Sequence, residues 1–165
     1  MNRGLKRRGT GHQHSGRGAA AVEFALVSPV LALIVFGVLQ YGLYFHDTLV
    51  ANEAVRTAAR SAVVETGTAH CAGSFDWSVV QCATKDLLER DGAAVRVSAP
   101  AGWAKGDPLT VCVQFPSQGD FGFLPMPNGG YVHAELQMSI EQTQRIPSGT
   151  GLSDPAPDGQ DWSWC

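Results

Sequence analysis

A chain of 165 residues, 44% hydrophobic and 16% charged, with a formal charge of −3, has room for one modest domain beyond an N-terminal anchor. The acidic balance excludes a nucleic-acid partner, since Lys and Arg never cluster with aromatics in the later part of the chain. The usual catalytic signatures (G-x-S-x-G, H-E-x-x-H, G-x-x-x-x-G-K-[ST]) are absent.

In chain order, residues 1–18 read as a basic leader carrying Arg3, Lys6, Arg7, Arg8 and Arg17 with no acidic residue. Without those five charges the remainder stands at about −8. From Phe24 to Phe45 no residue is charged. That stretch of about 22 residues makes roughly 33 Å of helix, enough to cross a hydrocarbon core. It is too long for the apolar part of a secretory signal and ends in aromatics (Tyr41, Tyr44, Phe45) without a clear small-residue cleavage site. Residues 19–46 therefore read as a retained transmembrane segment, with a cleaved export signal as the competing reading. The positive-inside rule places the N-terminus in the cytoplasm and everything after about His46 outside, in a single-pass protein of the cytoplasmic membrane. Glu23 sits just inside this segment, where a lone carboxylate costs a few kcal/mol. Either it snorkels to the headgroup layer, or it lies just before the true start of the span, or it has a task there.

Helical spacing continues past the span through Leu49, Val50, Ala54, Val55, Ala58, Ala59, Ala62 and Val63, with Asn52, Glu53, Arg56 and Arg60 on the other faces. One long helix is expected, from about Ala20 to Glu65 with a stop at Gly67; residues 47–66 form its extracytoplasmic continuation. Pro29 should loosen it locally. Ala25, Ala32, Gly37 and Gly42 either permit close helix contact or are ordinary membrane-span usage.

A small head follows over 67–146. Asp76 to Arg90 reads as a short helix ending at Asp91-Gly92. Ala94–Ala99 and Leu109–Phe115 alternate as half-buried strands joined through a Lys105–Pro108 turn, and Tyr131–Gln144 gives a third. The expected fold class is α+β: a long N-terminal helix, a short helix and a three-stranded antiparallel meander. Residues 147–165, rich in Pro, Gly, Ser and Asp, read as a flexible tail. Trp103, Phe121, Phe123, Trp162 and Trp164 fall in loop or tail segments, where they either fill the core or make an interaction surface; the Phe121–Met126 stretch is the candidate for the latter.

All four cysteines (Cys71, Cys82, Cys112, Cys165) lie on the side assigned to the outside, where disulfides persist. Four cysteines allow three pairings. Cys71–Cys82 would staple the start of the second helix, and Cys112–Cys165 would tie the tail to the sheet; alternatively Cys165 stays free or links two subunits. No metal site or cofactor is expected, because no C-x-x-C occurs and oxidising conditions favour disulfides. His12 and His14 fall in the leader, while His46, His70 and His133 have no acidic or serine partner at motif spacing. No catalytic residue is assigned, and a small anchored hydrolase is kept only as a remote alternative.

The run Gly18-Ala-Ala-Ala-Val-Glu23-Phe24-Ala-Leu, after a basic leader and before a helix containing Ser28-Pro29, resembles the N-terminal region of TadE-like minor pseudopilins in the Flp/Tad branch of the type IV pilin group. Val50–Ala62 is similar to the Ala/Arg-rich stretch that follows the span in that family. The resemblance covers about residues 17–64. It implies cleavage by a prepilin peptidase between Gly18 and Ala19, with Glu23 and Phe24 serving recognition and assembly. The Glu23 carboxylate would pair with the terminal amine of a neighbouring subunit, an ion pair suited to setting register more than to adding stability. The implied partners are the prepilin peptidase, other Tad minor pseudopilins, the Flp major pilin, the membrane assembly platform and membrane lipid. Incorporation into a surface pilus would follow, with adhesion, secretion and DNA uptake all left open. The alternative is a single-pass anchored binding protein that keeps its leader and has no pilus role.

Overall fold

A computed structural model describes residues 15–64, 71, 76–143, 147 and 149–165. Most of the leader, the expected stop at Gly67 and His70 lie outside these residues. The elements are α1 (Ser15–Val63), α2 (Trp77–Leu88), β1 (Ala94–Ser98), β2 (Pro108–Pro116), a 3-10 turn (Pro127–Gly130), β3 (Tyr131–Ser139) and β4 (Gly151–Ser153). The chain divides into two compact units, Met1–Val38 and Leu39–Cys165.

In the first unit, the described part is the N-terminal portion of α1. Among the described residues the helix runs from Ser15 and not from Ala20, and neither Gly16 nor Gly18 interrupts it. Its large apolar side chains, Val22 through Val38, stand exposed. The helix is long and apolar enough to cross a membrane, with a mean hydropathy of 2.4 in its most apolar window.

The second unit is built on the remainder of α1. Ala51, Ala54, Val55, Ala58, Ala59, Ala62 and Val63 are all buried, a three-four spacing that lays one stripe into the core. Leu49, expected on that face, is 71% exposed; at about 100° per residue it falls well away from the stripe centred near Ala58 and Ala62. Alanine predominates in the stripe, so the helix backbone can approach its neighbours closely.

Asp76 caps α2, its carboxylate accepting from the Trp77 N–H at 2.8 Å. The helix ends earlier than the sequence suggests because Glu89 turns left-handed (φ 48°) and its N–H closes on the Lys85 carbonyl. The Gln81 amide donates to the Val95 carbonyl at 2.9 Å, tying α2 to β1. Trp77 meets Trp103 edge to face at 5.3 Å, so Trp103 is a core residue.

The sheet is antiparallel throughout, in the order β3-β2-β1-β4. The α+β class and the three-stranded meander appear as read from alternation, and a fourth strand is added. β4 comes from the segment expected to be a flexible tail and pairs with β1 through Ser98↔Gly151, Val97↔Leu152 and Arg96↔Ser153. A Cβ at position 151 would collide with the Val97 carbonyl oxygen, so the glycine permits this approach. β3 stops at Ser139, not Gln144, because its partner strand runs out at the Pro108↔Ser139 pair. Ile140 then turns into the core, its N–H donating to the Asp107 carbonyl.

One face of the sheet (Val95, Val97, Leu109, Val111, Val113, Phe115, Val132, Ala134) shares a core with the Ala51–Val63 stripe and α2. The other face is covered by the C-terminal segment. Cys112 bonds Cys165, His133 stacks on Trp164 at 4.3 Å, and Arg96 donates to the Trp162 carbonyl at 3.4 Å. Asp154 fastens the start of that segment, accepting from the Val95 N–H and from Lys85. Cys112 and Gln114 are consequently fully buried.

Candidate functional site

The residues singled out by sequence separate into an N-terminal group and a cysteine group. Gly18, Ala19, Glu23 and Phe24 all lie on α1 with their side chains exposed, Phe24 at 70%. A Cβ at Gly18 would meet nothing within 4 Å, so neither packing nor a left-handed backbone demands glycine there. Among the described residues Glu23 makes no ion pair. Among the described residues, then, these four are not held by one another.

The cysteines pair as Cys71–Cys82 and Cys112–Cys165. The first joins the 71 position to α2, and the second closes the C-terminal segment onto β2. Among the described residues no group of histidines, cysteines and carboxylates could hold a metal ion.

A third constellation was not anticipated from sequence. Two polar side chains on α1, Gln40 (0% exposed) and Asp47 (2%), are buried by the loop that connects β2 to the 3-10 turn. The Gln40 amide holds both polar atoms of one loop residue: Nε2 donates to the Leu124 carbonyl at 2.8 Å, and Oε1 accepts from the Leu124 N–H at 3.2 Å. The Tyr41 hydroxyl donates to the Pro125 carbonyl at 2.8 Å. Two turns further along, the Asp47 carboxylate accepts from Arg90 Nη2 (2.7 Å), Ser117 Oγ (2.9 Å) and the Gln118 N–H (3.0 Å). These partners compensate a buried charge that would otherwise be costly. Between the two anchor points Gly119 lies so close to the helix that a Cβ would come within 2.6 Å of the Gln40 carbonyl oxygen. The loop is thus strapped along α1 from Asp47 back to Gln40. The clue in the sequence was Gln40 itself, a strongly polar side chain inside an otherwise uncharged run.

Further along α1, Arg56 and Arg60 border a groove of about 460 Å³ with Leu136, Met138 and Glu141 on its other side. Its lining combines two exposed guanidinium groups with the Glu141 carboxylate and apolar side chains.

The chain combines an apolar N-terminal helix carrying an exposed Gly–x4–Glu-Phe pattern with a disulfide-bonded α+β unit. The family model described as TadE-like protein matches residues 18–60. The chain is thus TadE-like over that segment, which links it to Tad pilus systems, and the remainder lies outside the match. No curated protein and no solved structure matches the chain.

Proposed function

We propose that the protein is a structural minor pseudopilin required for assembly of a Flp/Tad-type pilus, matured by a prepilin peptidase that cuts after Gly18, and that it is not an enzyme. The observation that carries this reading is the TadE-like match beginning at Gly18 itself, at a glycine that nothing in the fold requires. A peptidase needing a small residue before the scissile bond accounts for that glycine. Cleavage makes Ala19 the new terminus and puts a positive α-amino group one helical turn from Glu23. In the membrane the exposed Glu23 carboxylate would then meet the terminal amine of a neighbouring subunit, where two desolvated charges fix register. Phe24 and the exposed apolar residues after it would pack against lipid or against the helices of the major pilin and other minor pseudopilins.

The N-terminus is assigned to the cytoplasm by the five leader charges. The two disulfides support an oxidising environment for the unit that follows. The test is mass spectrometry of the mature N-terminus in cells with and without their prepilin peptidase. A chain starting at Ala19 only in the presence of the peptidase is expected. An intact leader in both strains would favour the anchored binding protein, and a start beyond residue 40 would mean a cleaved export signal.

A further inference from the structure

The loop strapped to α1 carries an exposed apolar tip. Off α1, Phe121 and Phe123 are the most exposed large apolar side chains of the described residues, at 55% and 54%. Between Asp120 and Tyr131 the sequence Phe-Gly-Phe-Leu-Pro-Met-Pro-Asn-Gly-Gly holds no charge. Where this tip sits along the helix decides what it meets. Leu124 and Pro125 are bonded to Gln40 and Tyr41. Those two residues lie seven and six positions before Asp47, the first ionised residue after the span. At ~1.5 Å per residue the loop is therefore held about 10 Å on the apolar side of that charge. A span of about 20 residues starting at Phe24 ends near Leu43, so Gln40 and Tyr41 occupy its last turn. Tyr41, Tyr44 and Phe45 are the aromatic residues expected at that interface.

We propose that the Gly119–Met126 loop is a membrane-docking element, with Phe121 and Phe123 seated at the boundary between acyl chains and headgroups of the bilayer that α1 spans. This rests on the membrane-spanning reading of α1. Irregular backbone is tolerated at that depth only where its polar groups are satisfied, and the Gln40 side chain satisfies both the N–H and the C=O of Leu124. The same pairing explains a buried glutamine in an uncharged run: helix and loop cancel each other's polar groups and leave an apolar surface. The aromatic tip gives the head a second attachment point beside the helix and so fixes its orientation on the membrane.

The test places single tryptophan reporters in the full-length chain, reconstituted into phosphatidylethanolamine–phosphatidylglycerol vesicles with brominated acyl chains. Each reporter is read as added emission over the unsubstituted protein. Phe123→Trp and Phe121→Trp report the loop, Val30→Trp the span, and Leu152→Trp a site on β4. Loss of most of the added emission at 123, 121 and 30, with 152 spared, is the expected result. Quenching at 30 with full emission at both loop positions overturns the docking proposal while leaving the span intact. If those loop reporters are also shielded from aqueous acrylamide, a protein or a second copy covers the tip instead. Quenching at 152 equal to that at 123 overturns the assignment to this loop. An unquenched reporter at 30 removes the span and this proposal together.

Discussion

The two stretches of α1 on either side of Gln40 are both rich in aliphatic residues, yet they place them differently. From Val22 to Leu39 the large apolar side chains are exposed; from Ala51 to Val63 a narrow alanine-rich stripe is buried against the sheet and α2. In the second stretch polar residues interrupt the apolar ones at helical spacing, so one face suffices to build a core. In the first stretch the apolar residues run all round, which no single neighbouring element can bury. Among the described residues, then, the first stretch leaves its large apolar side chains exposed, whereas the second buries its stripe within the chain. Substitutions in the head should therefore register as lost stability, and substitutions near the N-terminus as lost assembly.

The largest expected effect lies where the head closes on itself. Cys165→Ser opens the bond that holds the C-terminal segment over Cys112, across a sequence separation of 53. In the chain-entropy account a loop of that size contributes about 4 kcal/mol. Urea unfolding of the detergent-solubilised chain should show a loss of that order, and an unchanged midpoint would mean that the segment is held by its other contacts alone.

Next comes the buried carboxylate that fastens the loop to α1. Asp47→Ala leaves Arg90, Ser117 and the Gln118 N–H without their shared acceptor and should cost about 3 kcal/mol. Asp47→Asn, which keeps the shape and one acceptor, should cost less. Equal losses from the two would show that the charge, and not the shape or the remaining acceptor, is what matters.

Much of this was legible in the sequence because period and composition report on local environments. The length of α1, the alternation of β1 to β3 and the Asp76 start of α2 each follow from a pattern that repeats within the element. What escaped was the structure made by single long-range contacts. β4 is three residues long and includes a glycine, so it has no period to read. The straps from Gln40 and Asp47 join residues roughly 70 to 84 positions apart. Leu49 shows the limit within a helix, since a list of apolar positions does not tell which side of the stripe a borderline residue takes.

A smaller effect follows from His133, packed against Trp164 beneath the C-terminal segment. Burial pushes its imidazole below the ordinary value, opposed by a hydrogen bond with the Gln160 side chain and by the Asp161 charge. The folded state therefore prefers the neutral ring, and the unfolded chain takes up the proton first as pH falls. Stability should be fully present above the ordinary value of about 6.5 and decline modestly as the pH drops through it. In His133→Gln that part of the pH dependence should vanish. A wild-type profile that rises on acidification through the same window would contradict the sign.

The smallest expected effect on folding is also the sharpest test of the contrast. Glu23 is exposed and makes no ion pair among the described residues, so Glu23→Ala should leave stability unchanged to within about 0.5 kcal/mol. Membrane insertion should survive as well, because removing a carboxylate from the edge of an apolar segment only favours the bilayer. If Glu23 sets register with a neighbour's terminal amine, the variant should insert, fold and form both disulfides, yet fail to enter pili in a fractionation assay. Normal piliation would mean that the carboxylate merely sits at the edge of the span. A destabilised head would be the more damaging result, because it would show that the exposed and buried stretches of α1 are not the independent parts their burial makes them.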